Sequence, residues 1–225
     1  VTVQTREPQY QFCLDLREGA GLTTLGLMTN QCWNDDPRRL AFFLARYKFV
    51  SKMLRGKRSA LEVGCGDGFG TRIVRQEVPR VVAIDFDPVF VADVNSRMVA
   101  KWGFECRVHD MLAGPVGEPF ESAYSLDVLE HILPTDEDQF IRNIVASLTD
   151  DGVLLLGSPS LQSQPYASKA SKEGHVNCKD HEDFRRLMRQ YFANVFMFSM
   201  NDEVVHTGYG PMAHYLIAMC VGPLR

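Results

Sequence analysis

Four glycines alternate through residues 61–71, LEVGCGDGFGT, at positions 64, 66, 68 and 70. No other stretch constrains the fold as tightly. Glycines at this spacing permit positive backbone angles and close approach of a ligand, both of which a side chain would block. The run Ser59-Ala60-Leu61 leads in, and an amphipathic pattern of Ile73, Val74 and Val78 leads out. A strand, a glycine-rich turn and a helix N-terminus together form a cradle for a nucleotide or an anion. A dinucleotide-binding turn requires G-x-G-x-x-G. Counted from Gly64, the third glycine would stand where Phe69 is; counted from Gly66, it falls on Thr71. Neither register fits, and the pattern is instead E-x-G-x-G-x-G, with Glu62 in front.

An acid at that place adds little to a pyrophosphate site. It suits a ligand carrying an ammonium and a sulfonium, met directly or through water. Downstream, the β-branched run Val81-Val82-Ala83-Ile84 ends in Asp85-Phe86-Asp87-Pro88. An acid closing a second strand accepts both ribose hydroxyls of an adenosine. Arg107-Val108-His109-Asp110-Met111 reads as a third strand end, and residues 124–131, YSLDVLEH, as a fourth. On these four motifs, in this order over about half the chain, the sequence resembles the class I S-adenosylmethionine-dependent methyltransferases, in their small-molecule branch. The resemblance implies an α/β, Rossmann-like, doubly wound sheet of seven strands, ordered 3-2-1-4-5-7-6 with the last strand antiparallel. It implies S-adenosyl-L-methionine as cofactor and S-adenosyl-L-homocysteine as product. The cofactor site it implies comprises Glu62, Gly64, Cys65, Gly66, Asp67 and Gly68 on the turn. Beyond the turn come Asp85 for the ribose, Phe86 against the adenine, Asp110 for the adenine amino group, and Met111, Leu126 and Asp127.

The chain has 225 residues, of which 45% are hydrophobic and 23% charged, which suits one soluble domain with a full core. We divide it into a helical N-terminal lid (1–56), a cofactor-binding core (57–160) and a substrate loop with a C-terminal hairpin (161–225). The net charge of −4 disfavours a nucleic-acid partner, for which a basic face is usual. Basic clusters at Arg38-Arg39, Lys52 to Arg58 and Arg185-Arg186 have acids nearby and read as solvated faces. The six cysteines are irregularly spaced and include no C-x-x-C, so all are expected to be free thiols in a reducing compartment. With no signal peptide or membrane-spanning run in the sequence, a cytoplasmic location is expected. The lack of an initiator Met fits a fragment or a processed form.

Asn34-Asp35-Asp36-Pro37 predicts a helix start, with an Asx cap and Pro in the first turn. The helix would run to about Arg55 and close at Gly56. Its apolar face is Leu40, Phe43, Leu44, Tyr47, Val50 and Leu54. As a lid it would bring Trp33, Arg46 or Tyr47 towards the cofactor, with Arg46 clamping the methionine carboxylate bidentately. Residues 19–22 read as a loop. Helices are expected over 69–78, 88–101 and 136–148, the last capped by Thr135 with Asp138. Residues 161–179 are polar throughout and read as a long substrate loop that orders on binding. A helix capped by Asp180 follows, then strands near 194–200 and 213–221. Between these two strands lies a polar connection over 201–212.

Methyl transfer is an in-line displacement in which the protein mainly aligns the acceptor. An oxygen or nitrogen acceptor also needs a proton removed, for which histidine is best suited near neutral pH. The candidates are His175, His206 and His131, in that order; His131 stands one helical turn after Asp127. The spacing His175-x-x-Cys178-x-x-His181 supplies only three local ligands, so no metal is expected. The N/D-P-P-Y/F motif that nucleic-acid and amide methyltransferases of this fold often carry is absent after the fourth strand. These readings favour a small polar acceptor methylated at oxygen, such as a sugar or polysaccharide precursor or a phenolic or quinone-type compound. The alternatives are a non-catalytic S-adenosylmethionine-binding regulator and an RNA or protein methyltransferase. A nicotinamide-dependent oxidoreductase fails on the glycine spacing.

Overall fold

The computed structural model describes residues 3–225. One mixed sheet carries the molecule, with strands β1 (Ser59–Val63), β2 (Arg80–Asp85), β3 (Glu105–Val108), β4 (Phe120–Leu126), β5 (Leu148–Pro159), β6 (Phe192–Asn201), β7 (Val204–His206) and β8 (Tyr215–Pro223). Their order is β3-β2-β1-β4-β5-β8-β6-β7. The first five strands pair in parallel, while β8 lies antiparallel between β5 and β6. This is the expected Rossmann-like order with one strand added. The chain turns through Asp202 at φ 51°, and residues of β7 then pair back onto β6. The connection read as a loop over 201–212 thus contributes an edge strand.

The described residues form eight α-helices: α1 (Gln11–Ala20), α2 (Leu27–Asp35), α3 (Arg38–Met53), α4 (Thr71–Arg75), α5 (Pro88–Ser96), α6 (Glu137–Ala146), α7 (Lys169–Gly174) and α8 (His181–Met188). The period-2 alternation of the strands sorts their side chains onto two faces. Leu61, Val63, Leu154, Leu156, Leu216 and Ala218 share a core with Phe140, Ile141 and Ile144 of α6 and with Phe184 and Met188 of α8. Ala60, Val81, Leu155 and Ile217 face the other way, onto Tyr47 and Val50 of α3, Leu54 and Val74 of α4. β8 is buried over its first four residues because it is covered on both faces and paired on both sides.

Several local expectations are corrected. Asn34 and Asp35 close α2 rather than open α3, and Pro37, with no side-chain cap, precedes Arg38. Gly19 and Ala20 are the end of α1, and only from Gly21 is the segment irregular. The helices after β1, β2 and β4 are all shorter than expected. Thr135 does not cap α6; its hydroxyl bonds Asp136 instead, and the N-cap position is Asp136. Asp180 does cap α8, accepting the Asp183 N–H at 2.8 Å. Residues 161–179 carry a 3-10 turn over Leu161–Tyr166 followed by α7.

Candidate active site

The glycine turn occupies the carboxyl end of β1, between the carboxyl ends of β2 and β4. In such sheets the crevice at this point holds the ligand. Gly64 adopts φ +74°, and a Cβ there would stand 2.3 Å from Val128 Cγ2, in the segment that follows β4. Only glycine lets the two strand ends approach this closely. Gly66, at φ +53°, points its N–H at Asp85 Oδ2, 2.8 Å away. The other Asp85 oxygen accepts the Asp87 N–H at 3.0 Å. A carboxylate oxygen has more than one lone pair, so Asp85 keeps acceptor capacity for hydroxyl groups. Beside it Phe86 is 73% exposed, an apolar ring that the fold leaves uncovered. At the end of β3, Asp110 is exposed and has one oxygen on the Leu112 N–H, while Met111 is buried beneath it. Carboxylate acceptors and an exposed apolar ring thus gather at the ends of β2 and β3.

Glu62, expected to meet the ligand directly or through water, lies beneath the turn. It is 2% exposed, and its carboxylate accepts from Tyr47 at 2.8 Å, from Tyr124 at 2.9 Å and from Thr71. It therefore ties α3, α4 and β4 together beneath the turn. Burial raises its pKa to about 7, against the lowering effect of the three hydroxyl donors. Asp67, also buried, accepts the Thr29 N–H at 2.6 Å and so fastens α2 to the turn. Met28 of α2 lies against Gly66. The element over the turn is thus α2; α3, expected as the lid, packs on the sheet. Trp33 on α2 is 53% exposed, and Tyr47 is spent on Glu62. Cys65 and Gly68 face the interior, with Cys65 Sγ 3.8 Å from Cys106 Sγ and Gly68 against Phe104 and Val94. All six cysteines are free.

Arg46, expected to clamp a ligand carboxylate, holds Asp127 through Nη1, while its buried Nε has no partner among the described residues. Its Nη1 donates to both oxygens of Asp127 at 2.8 and 2.7 Å, and its guanidinium stacks 3.7 Å over the ring of Tyr215. Asp127 is itself held at φ 58° just beyond Leu126, with its N–H directed at Gly157 O and at the Tyr215 hydroxyl. A positive φ at a non-glycine residue costs energy and marks a position fixed by its surroundings.

Past Asp127 the chain forms a single 3-10 turn, Leu129–His131. Glu130 on it is fully buried, and neither carboxylate oxygen has a hydrogen-bond partner. Burial first, then the charge of Asp127, raises its pKa to about 8. The polar segment before α8 folds onto this turn. Val176 and Asn177 donate their N–H groups to the Glu130 carbonyl, and His131 Nδ1 bonds Gly174 O at 2.9 Å. The rings of His131 and His175 meet edge to face, 5.1 Å between centroids. His175 Nδ1 lies 2.8 Å from Gln164 Oε1, and burial followed by the charge of His131 lowers its pKa. Two of the three histidines singled out from sequence are thus together, beside a buried acid that sequence reading passed over. The signal for that acid was its place in the LEH sequence following Asp127.

His206 is not with them. It lies on β7, with β5, β8 and β6 between it and β4. At strand spacing that is roughly 19 Å. Both of its ring nitrogens are engaged, with Asn201 Oδ1 and with the Gly208 N–H. Nor are His175, Cys178 and His181 gathered as a ligand set. Among the described residues the one group of His, Cys, Asp or Glu with ligand atoms within 4.8 Å of one another is Glu130, His131 and His175.

Residues 61–156 match the family described as "Methyltransferase domain". The match runs from β1 into β5, the part of the chain that forms the crevice described above, and there the chain is similar to S-adenosylmethionine-dependent methyltransferases. Among its relatives is a "Probable S-adenosylmethionine-dependent methyltransferase" of Mycobacterium tuberculosis, 28% identical over 127 residues, which are 53% of this chain and 43% of that one. Another is nodulation protein S of Bradyrhizobium diazoefficiens, 32% identical over 132 residues, 55% of this chain and 63% of that one. The chain spans less than half the length of the mycobacterial relative. Among solved structures, the N-methyltransferase NodS from Bradyrhizobium japonicum WM9, in complex with S-adenosyl-L-homocysteine, superposes with a TM-score of 0.59 at 20% identity, over 85% of this chain and 91% of that one. At that identity the likeness establishes the fold. None of the helices is long and apolar enough to cross a membrane, among the described residues.

Proposed function

We propose that the chain transfers the methyl group of S-adenosylmethionine to a small polar acceptor, at oxygen. One observation carries this reading: an imidazole with a lowered pKa, His175, lies with a buried unpartnered carboxyl, Glu130, just past the end of β4. Val128 of the same segment touches the glycine turn. The bound cofactor supplies an electrophilic methyl; the chain aligns the acceptor and receives its proton. His175 donates Nδ1–H to Gln164, which leaves Nε2 to take a hydroxyl proton. Asp85 would hold the ribose, Phe86 and Met111 flank the adenine, and Asp110 meet its amino group. Leu126 and Asp127 line the floor, and Arg46 positions Asp127.

A small acceptor fits the folded segment over 161–179, which occupies the space beyond β4 and β5. Within the basic clusters several side chains are matched by acids, Lys52 and Arg55 by Glu77, Arg58 by Glu121 and Arg186 by Asp183, which disfavours a nucleic acid there. Sugars or their polysaccharide precursors and phenolic or quinone-type compounds carry suitable hydroxyls. Nitrogen is the second reading, favoured by the likeness to an N-methyltransferase.

The test is methyl transfer to panels of sugars, phenols and amines by the intact chain and by His175→Ala. A hydroxyl acceptor should turn over, and the variant should lose about 100-fold or more in turnover while keeping its affinity for S-adenosylhomocysteine. Turnover of amines alone would move the attacked atom to nitrogen. Tight cofactor binding with no acceptor methylated would make the chain a non-catalytic binder.

A further inference from the structure

We propose that Glu130, His131 and His175 form a binding site for one divalent transition-metal cation. Each offers one ligand atom, and these atoms lie within 4.8 Å of one another. Two independent features prepare them for a cation. The first is Glu130. A fully buried carboxyl with both oxygens unpartnered is costly, since it has given up water and gained nothing. A cation supplies what the protein around it does not.

The second feature is the fixing of both imidazoles through Nδ1. His131 Nδ1 is 2.9 Å from the Gly174 carbonyl oxygen, which can only accept, so the ring is protonated at Nδ1. His175 Nδ1 is 2.8 Å from Gln164 Oε1. The orientation of that amide is set by its Nε2, which donates to Ser160 O at 3.1 Å, so it too presents an acceptor. Both rings are left with the Nε2 lone pair free. Metal-binding histidines are characteristically held by such a bond to a carbonyl on the other nitrogen. Gln164 and Gly174 belong to the segment folded over β4 and β5, so its ordered state completes the site.

Two imidazoles and one carboxylate suit manganese, iron, cobalt or zinc better than magnesium or calcium, which take oxygen ligands. Three protein ligands leave coordination positions open. Resting on the proposed function, the acceptor's hydroxyl would take one of these, which lowers its pKa. With the ion bound, His175 is a ligand and no longer the base proposed for the ion-free site, and the acceptor proton leaves to solvent.

The experiment uses the intact chain stripped with chelator. Mn2+ is titrated with its free-ion electron paramagnetic resonance signal as readout, and Zn2+ is titrated by calorimetry. Manganese is included because the six free thiols compete poorly for it. Glu130→Gln and His175→Ala are titrated in parallel, with circular dichroism to confirm folding and S-adenosylhomocysteine affinity measured on each. One ion per chain, weakened at least about tenfold in both variants, is expected. His131→Ala, whose ring is at the surface, is a third variant should either of the others unfold. No binding of either ion at millimolar concentration, or binding unchanged in the folded variants, overturns the proposal. Metal binding without S-adenosylhomocysteine binding would sink the methyltransferase reading and leave the metal site standing.

Discussion

Glu62 is held by contacts that no local motif contains. Its position before the first glycine was plain in the sequence, but its partners were not. Tyr47 lies 15 residues before it and Tyr124 62 residues after it, and only the folded sheet brings their hydroxyls to its carboxylate. The same distance in sequence hid the pairing of Arg46 with Asp127, 81 residues apart. The place of Asp85 was legible because a strand end is a local pattern, and Asp85 does close β2. The raised pKa of Glu62 has a consequence for stability. A carboxyl whose folded pKa, about 7, exceeds its unfolded value favours the fold when protonated. Its contribution is complete below about pH 4.5 and is lost as pH rises through about 7. The shift corresponds to about 3 kcal/mol. Urea unfolding should therefore show stability falling between pH 5 and pH 8, and Glu62→Gln should flatten that fall. An equal slope in the variant would assign the pH dependence elsewhere.

At the scale of elements, the β/α alternation from β1 to β5 was readable because each piece carries its own signal. β1 and β2 are short apolar runs ending in a glycine or an acid, and α6 has a clear apolar face of Phe140, Ile141, Ile144 and Val145. Residues 161–179 carried no such signal. Their structure comes from polar contacts with distant partners, which periodicity does not register. Glu137 on α6 accepts from Lys179 at 2.8 Å and from Asn177 at 2.7 Å, and the Glu130 carbonyl accepts two further N–H groups. Both members of the Glu137–Lys179 pair are mostly buried, at 13% and 20% exposure. Removing one member strands the other, at a cost of about 1–3 kcal/mol. Glu137→Gln should accordingly speed amide exchange across 161–179, read by mass spectrometry, with β1 and β4 still protected. Unchanged protection in that segment would mean that the Glu130 carbonyl and the 3-10 turn hold it alone. β7 was missed for a related reason: three residues after a turn are too few to show an alternation.

Across the whole molecule, the sheet order places two different kinds of chemistry side by side. Gly66, Asp85 and Phe86 at the ends of β1 and β2 present a turn, an acceptor and an exposed ring, which together suit adenosine. The segment after β4 presents Asp127, Glu130 and His131, closed over by His175. Val128 against Gly64 joins the two halves, so methyl donor and acceptor would meet at the carboxyl ends of adjacent strands. The central claim is that the first half binds S-adenosylmethionine, and calorimetric titration of S-adenosylhomocysteine tests it most directly, with Asp85→Ala beside the intact chain. Micromolar binding is predicted, weakened about 10- to 100-fold in the variant, as loss of hydrogen bonds to a charged acceptor implies. No binding by the intact, folded chain, or equal binding by the variant, would contradict the account.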